Sequence, residues 1–169
     1  MADKKAFLVF GPESSGCRFF TKVLIMAGCG GDEGHKQRWD NEEPVGNMVV
    51  WRRSFPHFIE HIWEDIPRMV GGLRNLGYEV KAFVTTRDWK PMLASQIGKH
   101  VKNREEGFKN LQKAYPYIFS NLEKLGVQFA VVSYEAILLH GDKYLKEVLR
   151  TFGLVYKKVK IENGNSKYY

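Results

Sequence analysis

Hydrophobic and polar positions divide the chain into short unbroken apolar runs and longer amphipathic stretches. Ala6-Phe7-Leu8-Val9-Phe10 is continuous and closed by Gly11-Pro12, the pattern of a strand buried on both faces. Residues 48–51, 80–86 and 127–132 carry similar runs and predict three more strands. Between the first two, Phe20, Val23, Leu24 and Ala27 recur at spacings of three and four. That predicts a helix from Cys17 to Cys29, stopped by Gly28 and Gly30-Gly31. Further helices are expected over residues 56–76, kinked near Pro67, and from Pro91 to about Lys102. Two more are expected over 105–125 and 144–152. Residues 30–47 are polar and Gly-rich, a loop long enough to be functional.

Strand–helix alternation implies right-handed crossovers and a mostly parallel sheet with helices on both faces. The expected fold class is therefore three-layer α/β/α, as one domain over residues 1–169. In such sheets ligands bind beyond the carboxyl ends of the strands. Three of the most polar stretches, residues 11–18, 52–57 and 85–95, are placed there.

Composition sharpens this picture only in part. The 169 residues are 44% hydrophobic, enough for a core without disulfide or metal staples and too apolar for a disordered chain. The net charge of +7 favours an anionic partner without naming it. The positive charge is spread along the chain and forms no recognised nucleic-acid module, which argues against nucleic acid. Two cysteines, Cys17 and Cys29, both expected on the first helix, make no disulfide framework, and no metal is expected. No signal peptide and no apolar stretch of about 20 residues is present, so a cytoplasmic protein without a membrane span is expected.

Gly11 to Gly16 has the G-x-x-x-x-G spacing of a phosphate-binding loop between a buried strand and a helix. Such glycines let backbone N–H groups turn around phosphate oxygens, and the helix adds its positive N-terminal end. The ATPase pattern then requires Lys and Ser/Thr, where this chain has Cys17 and Arg18. A Gly/Ser-rich turn in which Ser14 or Ser15 merely caps the helix is the plainer alternative. Arg87 closes the third strand and Ser95 follows eight residues later. An Arg at a strand end can fork onto a phosphate while a helix serine donates to another oxygen. An Arg87-Asp88 ion pair beside an ordinary surface serine is the alternative there.

The two features together resemble the sulfotransferases that use 3′-phosphoadenosine 5′-phosphosulfate. Ser15-Gly16-Cys17-Arg18 resembles that family's Ser-Gly-Thr loop, and Arg87 with Ser95 reproduces the spacing of its second signature. Val132-Ser133-Tyr134-Glu135-Ala136-Ile137-Leu138, followed by Phe152-Gly153-Leu154, resembles its third landmark. The likeness runs from about residue 6 to residue 154 and implies the P-loop-type sulfotransferase fold. Many relatives carry a lysine where this chain has Ser14, and a histidine after the second strand that is here displaced to His57.

The resemblance implies transfer of a sulfonate from that nucleotide co-substrate to an unidentified hydroxyl or amine acceptor. Gly11 and the backbone of Ser14 to Arg18, with the Ser14, Ser15 and Arg18 side chains, are expected to hold the phosphosulfate, with Cys17 in the loop. Arg87 and Ser95 are expected on the 3′-phosphate. Arg52 and Arg18 would neutralise the moving charge, and His57 would act as general base, since imidazole titrates near neutral pH. Glu13, His35 and Asp40 are weaker candidates for the base. Trp51, Trp63, Trp89 and Phe55 are candidates for stacking on adenine. Lys157, Lys158 and Lys160 read as a solvated charge run, while relatives' late basic loop points to Lys167. The acceptor pocket is expected among residues 30–47 and the helix after Pro56. The competing readings are a P-loop kinase-like enzyme acting on a nucleoside or small metabolite, and a non-catalytic binder of nucleotide or nucleic acid.

Overall fold

A computed structural model describes residues 4–31, 46–57, 63–97, 101 and 103–168. Four strands, β1 (Lys5–Pro12), β2 (Met48–Phe55), β3 (Glu79–Thr86) and β4 (Gln128–Ser133), form one sheet in the order β2-β1-β3-β4. Every neighbouring pair is parallel. Five helices connect or follow them: α1 (Cys17–Met26), α2 (Ile66–Asn75), α3 (Trp89–Gln96), α4 (Arg104–Lys124) and α5 (Tyr134–Arg150).

Alternation along β1 gives the sheet two buried faces. Phe7 and Val9 join α1 and α5 in one core through Phe20, Val23, Leu24, Leu145 and Leu149. Ala6, Leu8 and Phe10 join α2 and α4 in the other through Met69, Leu73, Ala114 and Ile118. The chain thus has helices on both faces of a parallel α/β sheet, as its alternation predicts. From β1 it moves to β2 by way of α1; it then crosses back over β1 by way of α2 to reach β3. The direction of winding reverses between β1 and β3, and the crevice beyond their carboxyl ends is the topological switch point.

Several boundaries depart from the sequence expectation, each for a local reason. α1 ends at Met26, and Cys29 lies beyond Gly28 at φ 108°, off the helix on which it was expected. β2 continues past Trp51 to Phe55, so Arg52, Arg53 and Ser54 are strand residues and buried. Residues 63–65 precede α2 in non-helical conformation, and Pro67 lies in the first turn of that helix instead of kinking it. Asp65 caps the helix by accepting from the Arg68 N–H at 2.9 Å. α3 begins at Trp89 and stops at Gln96, short of Lys102. α5 starts ten residues earlier than expected, capped by Ser133, because a break at Gly141 (φ 55°) splits an amphipathic pattern into two pieces. The expected loop over 30–47 lies largely outside the described residues, as do His35 and Asp40.

Phe83 of β3 shows how tightly the first core is keyed. Its ring centroid lies 4.8 Å from that of Phe20, 5.0 Å from Phe152 and 6.0 Å from Phe7. Replacing Phe83 with Ala should lower unfolding free energy by about 3–5 kcal/mol in chemical denaturation, whereas Leu139→Ala on the surface should change it by less than about 0.5 kcal/mol.

Candidate functional site

Beyond the switch point lies a cavity of about 440 Å³. The loop after β1 and the first turns of α1 line it with Glu13, Ser14, Gly16, Cys17, Arg18, Phe19 and Lys22. β2 adds Arg52 and Ser54, and Arg87, Ser95 and Tyr134 complete the wall. Seven of the expected site residues thus meet from separated parts of the sequence: Ser14, Gly16, Cys17, Arg18, Arg52, Arg87 and Ser95. Gly11, Ser15 and His57 are not among the lining residues.

Gly11 and Ser15 serve from below. Ser15 is 1% exposed, and its hydroxyl lies 2.7 Å from Thr85 Oγ1. Thr85 donates to the Phe10 carbonyl at 3.3 Å, which leaves Ser15 Oγ and Cys17 Sγ, the latter at 3.0 Å, to donate to Thr85. The Ser15 side chain therefore holds the floor of the loop, where it was expected to grip a ligand. Burial pushes the Cys17 thiol up, against the opposing effects of its hydrogen bonds and Arg52, so it stays a neutral donor and no nucleophile. Gly11 passes directly over this floor. A Cβ there would meet Ser15 Oγ and Thr85 Oγ1, and would stand 2.8 Å from the Thr85 carbonyl oxygen.

Above the floor, the loop is set by contacts from two other elements. Ser14 adopts φ 68°, a left-handed conformation rare for a residue with a side chain. Its hydroxyl donates to Ser95 Oγ at 3.1 Å, and its carbonyl accepts from Arg87 Nη1 at 2.9 Å. Gln96, 3% exposed, donates to the Glu13 carbonyl at 2.6 Å. Gly16 follows at φ 103°, and no side chain caps α1, so its positive end faces the cavity without a capping oxygen.

Arg87 is the most heavily engaged of these residues. Besides Ser14, its Nε donates to Asn165 Oδ1 at 2.7 Å and its Nη2 to the Gly164 carbonyl at 2.9 Å. The guanidinium lies 4.7 Å from the Tyr134 ring centroid. Tyr134 in turn donates to the Glu162 carbonyl and accepts from the Gly164 N–H, each at 2.9 Å. Residues 162–168 are thereby folded against the site. Three guanidinium donors are used, out of the five an arginine carries.

Arg52 and Arg53 diverge because successive strand residues face opposite sides. Arg53 turns away and pairs with Glu64 at 3.1 Å. Arg52 faces the cavity; desolvation draws its pKa down, opposed by the charge of Glu13, and it remains a cation. Glu13 is the one acid among the described residues that line the cavity, facing four cations.

The stacking candidates separate by burial. Trp51 and Phe55 are core residues, Trp63 packs against that core, and Trp89 is 42% exposed beside Phe108. None of them lines the cavity; its aromatic members are Phe19 and Tyr134. Lys157 and Lys158 are exposed and Lys160 pairs with Glu162 at 2.8 Å, so that run is solvated. Lys167 lies in the docked segment, with its ammonium 4.9 Å from the Tyr168 ring. Thr85, Gln96 and Lys22 escaped the sequence reading, and Tyr134 entered it only within a landmark, without a role at the site. Thr85, one of two polar residues closing an apolar run, was the one legible signal among the first three.

Compared with known proteins, the chain matches no protein-family model and no curated sequence. No described helix is long and apolar enough to cross a membrane.

Gly11→Ala should destabilise the fold by about 1–3 kcal/mol through overpacking against Ser15 and Thr85. Denaturant titration of that variant beside Gly71→Ala, a site with open space around its Cα, checks the assignment.

Proposed function

We propose that the chain is a sulfotransferase of the P-loop type, taking its sulfonate from 3′-phosphoadenosine 5′-phosphosulfate. The observation that carries this reading is the Ser14–Ser95 hydroxyl contact, with Arg87 on the Ser14 carbonyl. It joins the two anion-binding motifs into one wall of one cavity. An ordinary capping turn has no use for that linkage, and Ser14 caps no helix N–H.

In this reading the first turn of α1, Arg18 and Arg52 hold the phosphosulfate. Arg87 and Ser95 hold the 3′-phosphate with the donors that their protein contacts leave over. Lys22, one turn beyond Arg18 on α1, extends the positive wall. The acceptor oxygen attacks sulfur in line as the bond from sulfur to the bridging phosphate oxygen breaks. The departing electron pair stays on the nucleotide phosphate, where Arg18 and Arg52 stabilise it. Cys17 is a neutral wall group and forms no bond.

The acceptor proton needs a base within reach of the cavity. Glu13 supplies a carboxylate there, whereas His57 lies past the end of β2 and outside the lining. Glu13 is therefore assigned the base. Glu13→Gln should lower kcat by about 10²–10⁴-fold with little change in nucleotide affinity, while His57→Ala should stay close to wild type. The reverse outcome returns the role to His57.

Nucleotide identity is tested by thermal shift. At a hundredfold excess over Kd, 3′-phosphoadenosine 5′-phosphate should stabilise the protein by about 2.7 kcal/mol, a rise on the order of 5–10 °C. Ser95→Ala should weaken that shift; it is a cleaner variant than Arg87→Ala, which also releases residues 162–168. A shift with ADP and magnesium alone would instead favour the kinase-like reading, and salt-sensitive oligonucleotide binding the non-catalytic one.

A further inference from the structure

We infer that Asn165 is a positioning residue that makes the cavity selective for a nucleotide carrying a 3′-phosphate: it holds Arg87 in place while keeping the acid Glu135 off the guanidinium. The inference rests on the assignment of Arg87 to that phosphate. Among the described residues, every partner of the Arg87 side chain is uncharged. They are the Ser14 and Gly164 carbonyls, the Asn165 amide oxygen, and the rings of Tyr134 and Tyr168. Arg53 of β2 shows the contrast, since its Nε lies 3.1 Å from a Glu64 carboxylate oxygen. A carboxylate partner offsets the charge of an arginine, whereas neutral acceptors orient the guanidinium and leave its field intact.

Two acids are nevertheless close. Asp88, the next residue, turns its carboxylate to the Lys90 N–H at 2.9 Å, as the cap of α3. Glu135, in the first turn of α5, accepts from the Asp88 N–H at 2.9 Å, and the same oxygen accepts from Asn165 Nδ2 at 3.4 Å. The carboxamide thus stands between a guanidinium and a carboxylate, with its oxygen toward the donor and its nitrogen toward the acceptor. Reversing it would set donor against donor and acceptor against acceptor, so the amide has one favourable orientation. A carboxylate at this position would also accept from Nε, but it would neutralise the cation. With no polar side chain there, the Glu135 carboxylate can turn toward the guanidinium.

Asn165 is itself held firmly. Its N–H donates to Asn163 Oδ1 and its carbonyl accepts from the Tyr168 N–H, each at 2.9 Å, and the residue is 7% exposed. The consequence for Arg87 is a division of its five N–H donors. Nε is given to Asn165, and one hydrogen each of Nη1 and Nη2 to the Ser14 and Gly164 carbonyls. One N–H remains on each terminal nitrogen, the number that a bidentate phosphate contact uses. Orientation and charge at Arg87 therefore both pass through one amide that does not itself line the cavity.

Calorimetric titration of the full chain with 3′-phosphoadenosine 5′-phosphate and with adenosine 5′-phosphate gives a ratio of Kd values that isolates the 3′-phosphate. The wild type should favour the bisphosphate by about a hundredfold, and Asn165→Ala should cut that preference about tenfold, the size of one charge-assisted hydrogen bond. Its Kd for adenosine 5′-phosphate should stay within about twofold. Asn165→Asp keeps an acceptor for Nε, and so the attachment of the segment, yet should lose the preference as the alanine does. Adding Glu135→Gln to Asn165→Ala should restore part of it, a rescue that a purely structural role does not produce. Ser166→Ala removes an exposed hydroxyl bond to the Asn163 carbonyl in the same turn and should leave the ratio within about twofold. A wild-type ratio near one removes the 3′-phosphate assignment and this inference with it. A wild-type preference that survives in Asn165→Ala or Asn165→Asp, is lost equally in Ser166→Ala, or is not rescued by Glu135→Gln overturns the inference alone.

Discussion

Arg87 is the contact on which the geometry of the site depends. It leaves the end of β3 at the switch point, where the backbone has no further strand partner, and its guanidinium reaches three segments at once. One nitrogen fixes the carbonyl of Ser14, another that of Gly164, and the third the side chain of Asn165. The face of Tyr134 covers it. A charged donor in such a half-buried position forms stronger hydrogen bonds than a neutral one, roughly twice as strong. Without this residue the loop after β1 and the segment 162–168 have little reason to meet.

The consequence is a cavity whose polarity is built from different sources. α1 contributes an uncapped N-terminus, β2 contributes a buried arginine, and the exposed side of α1 contributes Arg18 and Lys22. Desolvation acts against Arg52, yet a guanidinium keeps its charge under burial that would neutralise an amine. Glu13 offsets part of this positive field and helps to keep Arg52 charged. Below them Ser15, Thr85 and Cys17 form a neutral, mutually satisfied layer. The loop therefore rests on hydrogen bonds internal to the protein, beneath a wall lined by Arg18, Lys22, Arg52 and Arg87.

How much of this was legible follows from which interactions are local. β1 and the spacing of α1 are written in contiguous residues; the caps at Asp65 and Ser133 are equally local but were passed over, because the helices were expected to start near residues 56 and 144. The strand order, the reversal at β1/β3 and the meeting of Ser14 with Ser95 are consistent with the alternation, but only the fold makes them contacts. Arg52 and Arg53 read as a loop because two cations rarely sit inside a strand. The structure accommodates them by sending one to Glu64 and the other to the cavity. Ser15 and Ser14 look equivalent in sequence. Their roles separate because one backbone is left-handed and the other is not, a distinction no residue pattern near them encodes. The docking of residues 162–168 was the least legible feature, since it depends on an arginine seventy-odd positions earlier.

Ser14 brings these threads together. Holding a side-chain-bearing residue at φ 68° works against the loop by about 1–2 kcal/mol. Its hydroxyl bond to Ser95 and its carbonyl bond to Arg87 each return on the order of 1 kcal/mol, somewhat more for the charged partner. The strained conformation is thus sustained by the very groups that wall the cavity. A glycine would relieve the strain and lose the link to Ser95. A lysine would bring charge but no short hydroxyl to Ser95. The serine thus provides a rigid connection between two walls of the cavity that Arg18 and Arg52 also line.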